Sequence, residues 1–282
     1  MCLALLRAYL RFINMSKIKL KDVSLNYKDK NAEFMAISDI NISIREGEFV
    51  SIIGPSGCGK STLLSLFAGL NFPTGGTILL DGQKITGTGT DRGVVFQNYS
   101  LFPWMSAKKN LIFGIKQVNK DAGKKEIESI ADKYISLVGL NDFKSKYPSQ
   151  LSGGMQQRVA IARALAMNPG ILLMDEPFGA VDAKNRVILQ ELLLELWEKG
   201  ETKKTVVFVT HDIDEAILLS DKIIVMSASP GTVKTEVEVP FPRPRNRYEL
   251  MKDKEYANLR NRLVDYFYDD ILQKIGGEEV TI

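Results

Sequence analysis

The sequence predicts an α/β protein whose core is a mostly parallel sheet, with an antiparallel β layer and an inserted helical subdomain. Three observations lead there. Short apolar runs such as "FVSII", "ILLMD" and "VVFVT" alternate with helix-period segments, the pattern of βαβ units in a sheet covered on both faces. Residues 18–27 and 35–44 instead alternate apolar and polar at period two, as strands with one covered face do. Between about Trp104 and Gln150 the buried-type runs vanish and Lys and Asn rise, which reads as a mostly helical insertion.

Taken in order, the chain opens on "MCLALLRAYLRFIN", which mixes Leu, Ala and Phe with Arg7 and Arg11 and lacks a small-residue cleavage site. It reads as a short amphipathic helix that touches lipid or a partner, or as a mis-assigned start with Met15 as the initiator. The second reading is preferred, so 1–15 is set apart as an N-terminal extension or a mis-assigned start. The two alternating runs form the antiparallel layer, and "EFVSIIG" follows as a nearly all-apolar strand running into glycines. "STLLSLFAGL" has helix character, "GTILLDG" and "GVVFQ" are short strands, and "GTGTDRG" between them is a loop.

The helical subdomain occupies about 104–165. Beyond it come strand "ILLMDEP", helix through "VILQELLLELWEKG", strand "TVVFVTHD", a short helix and strand "KIIVMSA". "ASPGTV" turns the chain, and "TEVEVPFPRPRNR" passes from strand into a proline-stiffened connector. Spaced apolar residues among charges from Tyr248 to Ile275 predict an amphipathic helix within a C-terminal tail, 246–282.

The chain has 282 residues, and 45% hydrophobic content is ordinary for a globular protein able to bury a sizeable core. Lys and Arg number 37 against 34 Asp and Glu, a net charge of +3, with no basic block that tracks a nucleic-acid backbone; no nucleic-acid partner is expected. Two cysteines, Cys2 and Cys58, form no disulfide framework and fit a reducing compartment. No apolar run approaches the roughly 20 residues that span a bilayer.

Gly54, Pro55, Ser56, Gly57, Cys58, Gly59, Lys60, Ser61 and Thr62 spell G-x-x-x-x-G-K-[ST] after an apolar strand and before a helix, the context in which that loop cradles phosphate. Glycines let successive N–H groups face one anion, and the helix N-terminus adds its dipole. Lys60 is expected to reach the β- and γ-phosphates, and the Ser61 hydroxyl to bind Mg2+. Cys58 inside the loop reads as a small filler; the alternative is that a thiol beside a helix N-terminus has a lowered pKa and raised reactivity, in which case maleimide would block hydrolysis and ATP would protect.

"ILLMDEP" ends an apolar strand in two carboxylates, where open parallel sheets place ligands. Asp175 suits Mg2+ held through water, and Glu176 suits polarising an attacking water. His211, the single histidine, ends "VVFVTH"; lone histidines are more often structural, but the matching strand-end position argues for an active role. Gln97, ending "GVVFQ", carries an amide suited to both Mg2+ and that water. Together these groups supply the positioning and charge stabilisation that phosphoryl transfer to water requires, and none is a covalent nucleophile.

"GPSGCGKST", "FQ", "LSGGMQQR", "LLMDEP" and "VTHD", in this order and spacing, resemble the ATP-binding subunit of an ABC transporter, a P-loop NTPase cassette, over nearly all of residues 16–245. The resemblance implies ATP and Mg2+ as ligands and a homodimer of cassettes. It makes Tyr27 the aromatic that stacks on adenine, Gln97 the Q-loop glutamine, Asp182 of "GAVDA" the D-loop aspartate and His211 the switch histidine at the γ-phosphate. Met155 departs from the glutamine of many relatives, with Gln156 and Gln157 following. "LSGGMQQR" has no catalytic group of its own, and the dimer explains it: Ser152 and the N–H groups of Gly153 and Gly154, with Gln156 in the same signature, would face ATP held by the opposite subunit.

A narrower likeness, to importers of nitrate, sulfonate, taurine and bicarbonate, rests on "SLFPW", "SASPGTV" and "VPFPRPRNR". It implies two transmembrane permease subunits, an extracytoplasmic solute-binding protein and a peripheral place on the cytoplasmic face of the cell membrane, with Phe102, Pro103 and Trp104 either near the permease or packed locally. The alternative is a soluble ABC-type ATPase acting on nucleic acid or ribosomes, which usually carries coiled-coil insertions, zinc motifs or two fused cassettes. A P-loop kinase leaves Leu151–Arg158 unexplained.

Overall fold

A computed structural model describes residues 16–29, 32–179, 181–198, 203–227 and 230–277, so the expectations for 1–15 fall outside the described residues. Two compact units emerge, one up to Gly87 and from Val207 on, the other Thr88–Val206.

In the first unit the alternating segments form a long hairpin, β1 (Ser16–Asp29) against β2 (Ala32–Arg45), antiparallel with Tyr27 opposite Phe34. β4 (Gly75–Leu80) pairs antiparallel on the other side of β1 and carries the short β5 (Gln83–Lys84), giving the order β2-β1-β4-β5. Period two sends Ile18, Leu20, Ile40, Ile42 and Ile44 inward, each at most 3% exposed. The alternation is broken at bulges where Asp22 and Asp39 adopt positive φ, 51° and 49°; Asn41 Oδ1 accepts from the Asp22 N–H and Ser24 Oγ from the Asp39 N–H.

β3 (Phe49–Ile53) is buried throughout and runs parallel to β9 (Lys222–Ser227), which pairs antiparallel with β10 (Thr232–Glu238). α1 (Lys60–Ala68) follows β3. α6 (Ile213–Leu219) follows β8 (Thr205–Val209), a strand that begins in the second unit and ends in the first. The C-terminal helix divides into α7 (Arg247–Leu250) and α8 (Lys254–Gly277), because Asp253 Oδ1 accepts the Glu255 N–H and starts a new helix.

In the second unit β6 (Arg92–Val95) runs parallel to β7 (Ile171–Asp175). Three helices, α2 (Ala107–Val118), α3 (Lys124–Leu137) and α4 (Gly153–Ala166), share a core of Leu111, Ile115, Ile127, Ile135 and Val159. Each such side chain stabilises by about 1.5–3 kcal/mol when fully buried. α5 (Ala183–Glu198) follows β7.

Asn110 of α2 is fully buried and does the work of a small hub. Its Oδ1 accepts the Phe102 N–H at 2.9 Å, and its Nδ2 donates to the carbonyls of Phe102, Met105 and Ser106 at 3.1–3.3 Å. Truncation would orphan several buried polar groups at once. Asn110→Ala is expected to cost about 2–4 kcal/mol in urea unfolding, whereas a loss under about 0.5 kcal/mol would show that water replaces the amide.

Candidate active site

The first unit carries the phosphate grip. The chain wraps from Gly54 to Gly59 between β3 and α1, and Gly59 stands at φ 90°, where an added Cβ would lie 2.5 Å from Ile37 Cγ2. Only glycine makes the turn that presents the first amide N–H groups of α1 to the loop. The Lys60 ammonium donates to the carbonyls of Gly54 (2.9 Å) and Pro55 (3.0 Å), which centres the charge within the wrap. Ser61 is exposed in the first turn of α1.

The grip is seated on the described end of the "ASPGTV" segment, at Gly231. The Gly231 N–H donates to the Ala36 carbonyl and its own carbonyl accepts from Ser38, which splices the turn onto β2 beside the loop. A Cβ on Gly231 would come within 2.1 Å of the Cys58 carbonyl oxygen. Gly231, from a segment read as a plain turn, therefore supports the phosphate loop from behind.

Cys58 fits the filler reading and not the reactive one. Its side chain is fully buried, and burial pushes the thiol pKa up, outweighing the nearby Lys60 charge that pulls it down. A neutral, enclosed thiol is a poor nucleophile. Maleimide is expected to leave Cys58 unmodified in the folded protein and hydrolysis intact, with labelling at that peptide appearing only as urea unfolds the chain, read by mass spectrometry.

Tyr27 is 42% exposed on β1, with its hydroxyl accepting from Asn71 Nδ2 at 3.4 Å, so its ring presents a face on which a base can stack. His211 is exposed, two residues past the end of β8 at Val209 and so beyond the strand end at which the sequence placed it. Its neighbours are pinned: the Thr210 N–H donates to Ile52 of β3, the Thr210 hydroxyl donates to Glu215 Oε2, and the Asp212 N–H donates to the Thr210 hydroxyl.

The second unit brings Gln97 and Glu176 together, with Gln97 Nε2 donating to Glu176 Oε2 at 3.4 Å. Asp175 ends β7, and Glu176 follows at φ 43°, a left-handed conformation that is costly for a side chain bearing Cβ and is found at functional sites. The strand before Gln97 stops at Val95, so Gln97 stands two residues past the strand end at which the sequence placed it. Tyr99 and Ser100 also have positive φ, and Arg163 of α4 grips their carbonyls with Nη2 (3.4 Å) and Nη1 (2.9 Å) while its guanidinium lies over the Phe102 ring. Sequence reasoning missed Arg163 and Asn110, for which no motif or spacing stands as a signal.

Ser152 is the N-cap of α4, its hydroxyl accepting from the Met155 N–H at 3.3 Å. Gly153 and Gly154 form the first turn, and the Gln156 amide folds back to donate to the Leu151 carbonyl. Asp182 caps the start of α5, accepting from the Asn185 amide (2.6 Å) and backbone N–H (3.1 Å), and these bonds hold its carboxyl below the usual range. Ser61 lies in the first unit, Gln97 and Asp175 in the second. Their hydroxyl, amide carbonyl and carboxylate are all hard oxygen donors, the chemistry Mg2+ takes.

A family described as ABC transporter matches residues 37–179. The nitrate import ATP-binding protein of Synechococcus elongatus is 46% identical over 91% of this chain and 93% of its own. The bicarbonate transport ATP-binding protein of the same organism is 48% identical over 88% of this chain, which spans 38% of that longer protein. Among solved structures, a dimeric post-hydrolysis state of an ATP-binding cassette bound to ADP and Pi superposes with a TM-score of 0.71 at 38% identity, covering 80% of this chain and all of the other.

Proposed function

This chain belongs to the ABC transporter family, and on that premise we propose that it is the ATP-hydrolysing subunit of an importer for small anions of the nitrate, sulfonate or taurine type. Support for the solute class is the 46% and 48% identity to nitrate and bicarbonate transport proteins over most of the chain. The observation that carries the hydrolytic reading is the contact of the Gln97 amide with the Glu176 carboxylate.

Lys60 and the N–H groups at the start of α1 bind the β- and γ-phosphates, and Tyr27 stacks on adenine. Glu176 takes a proton from the attacking water, oriented by the Gln97 amide, and His211 donates to the γ-phosphate. Mg2+ held by Ser61, Gln97 and Asp175 would supply neutralisation of developing phosphate charge. A second cassette places Ser152, Gly153 and Gly154 against the γ-phosphate bound here, and Asp182 lies in the loop facing that partner.

Two permease subunits and an extracytoplasmic binding protein complete the importer, with the cassettes peripheral on the cytoplasmic face. No helix among the described residues is long and apolar enough to cross a membrane. Trp104, 69% exposed beside Phe102, offers the permease an aromatic surface. Purification from membranes is expected to bring down two hydrophobic subunits, and deletion to abolish uptake of one such anion. Tight, salt-sensitive nucleic-acid binding by the purified protein would instead favour a soluble ATPase.

A further inference from the structure

We propose that the C-terminal segment beyond β10 is a positioning device for His211, acting through α6. The inference rests on His211 working at the γ-phosphate. α6 has seven residues, too short to hold a helical shape or direction on its own. Besides its own N-cap and the buried side chains of Ala216, Ile217, Leu218 and Leu219, it is gripped at each end by the C-terminal segment.

At the near end, Asp214 accepts from the Tyr256 hydroxyl (2.6 Å) and Arg260 Nε (2.8 Å), both on α8. Tyr256 is 5% exposed, and burial followed by the Asp214 carboxylate pushes its phenol well above the usual range, so it remains a donor. At the far end, Arg245, itself buried, donates Nη1 to the carbonyls of Ile217, Leu218 and Ser220, satisfying groups that α6 leaves without helical partners. Arg243 adds a bond to the Leu219 carbonyl and an ion pair with Asp221. Cationic groups at a helix C-terminus also suit its dipole.

The path from these grips to the imidazole is short. Asp212 caps α6 by accepting the Glu215 N–H, and it is the residue after His211. Glu215 accepts from Thr210, the residue before His211. Displacing α6 therefore moves the backbone on both sides of the histidine. Tyr256, Arg260 and Arg245 touch no nucleotide in this assignment; they are positioning residues.

The test is a double-mutant cycle on the full chain, scored by steady-state ATP hydrolysis. Tyr256→Phe combined with Arg260→Ala keeps the buried ring and removes both bonds to Asp214. It is expected to lower kcat about fivefold, with the KM for ATP within about twofold, and Arg260→Lys in the Tyr256→Phe background is expected to recover part of the loss. In a His211→Ala background the same pair is expected to change the residual rate by less than about twofold, because the route to catalysis is already cut. An equal fivefold loss in both backgrounds, or a change confined to KM, overturns the proposal. Wild-type turnover by His211→Ala alone would instead overturn the role given to His211. Circular dichroism of the double variant guards against unfolding; should it unfold, Arg260→Ala alone, on a side chain 46% exposed, is scored in the same cycle with the same two outcomes.

Discussion

Glu176→Gln is expected to retain ATP binding and to lower hydrolysis by about 10²–10⁴-fold, the usual contribution of a general base, or about 3–5 kcal/mol of barrier. Glutamine preserves the size of the side chain and its Oε1 can still accept from Gln97, so the local geometry survives while the proton acceptor is lost. Because binding persists and turnover does not, the variant should accumulate as an ATP-bound dimer, visible by size-exclusion chromatography with ATP and absent with ADP. Wild-type turnover would exclude Glu176 as the base. The left-handed backbone at Glu176, φ 43°, makes a further demand: Glu176→Gly should fold at least as readily, yet be as inactive as the glutamine variant.

Ser152→Arg is expected to leave ATP affinity of the monomer within about twofold while weakening ATP-driven dimer closure by at least about 100-fold, the scale of burying an unmatched charge in an interface. Two effects must be kept apart here, since Ser152 also caps α4. Loss of the cap costs about 1 kcal/mol, and an arginine at a helix N-terminus opposes the dipole. Ser152→Ala separates them: it removes the cap without adding bulk or charge. A destabilisation shared by the two variants with dimer closure lost only in the arginine form assigns Ser152 to the interface. Closure at wild-type ATP concentration by Ser152→Arg would remove it from there.

The parts of this fold that were legible in the sequence are those set by local pattern. Period two placed β1 and β2, the glycine-lysine loop placed α1, and strand-end carboxylates placed Asp175 and Glu176. What escaped depends on pairs far apart in the chain. Arg163 reaches carbonyls 63 and 64 residues away, and Arg245 reaches carbonyls 25–28 residues back, so neither leaves a local signature. The reactive alternative for Cys58 fails because helix-terminus electrostatics is visible in sequence whereas burial, which outweighs it here, is not. The break between α7 and α8 did have a signal, Asp253, a capping residue inside an otherwise continuous amphipathic pattern.

The bulged hairpin has a bearing on how the protein behaves in a crowded cell. β2 is fourteen residues long and lies at the edge of its sheet, and an unbroken edge of that length is a template on which another chain can add a strand. Two features described above blunt it: Gly231 occupies the hydrogen-bonding groups of Ala36 and Ser38, and the left-handed Asp39 kinks the strand immediately beyond. The free edge is thereby cut into pieces too short and too twisted to recruit a stranger, which keeps the chain from coalescing with others.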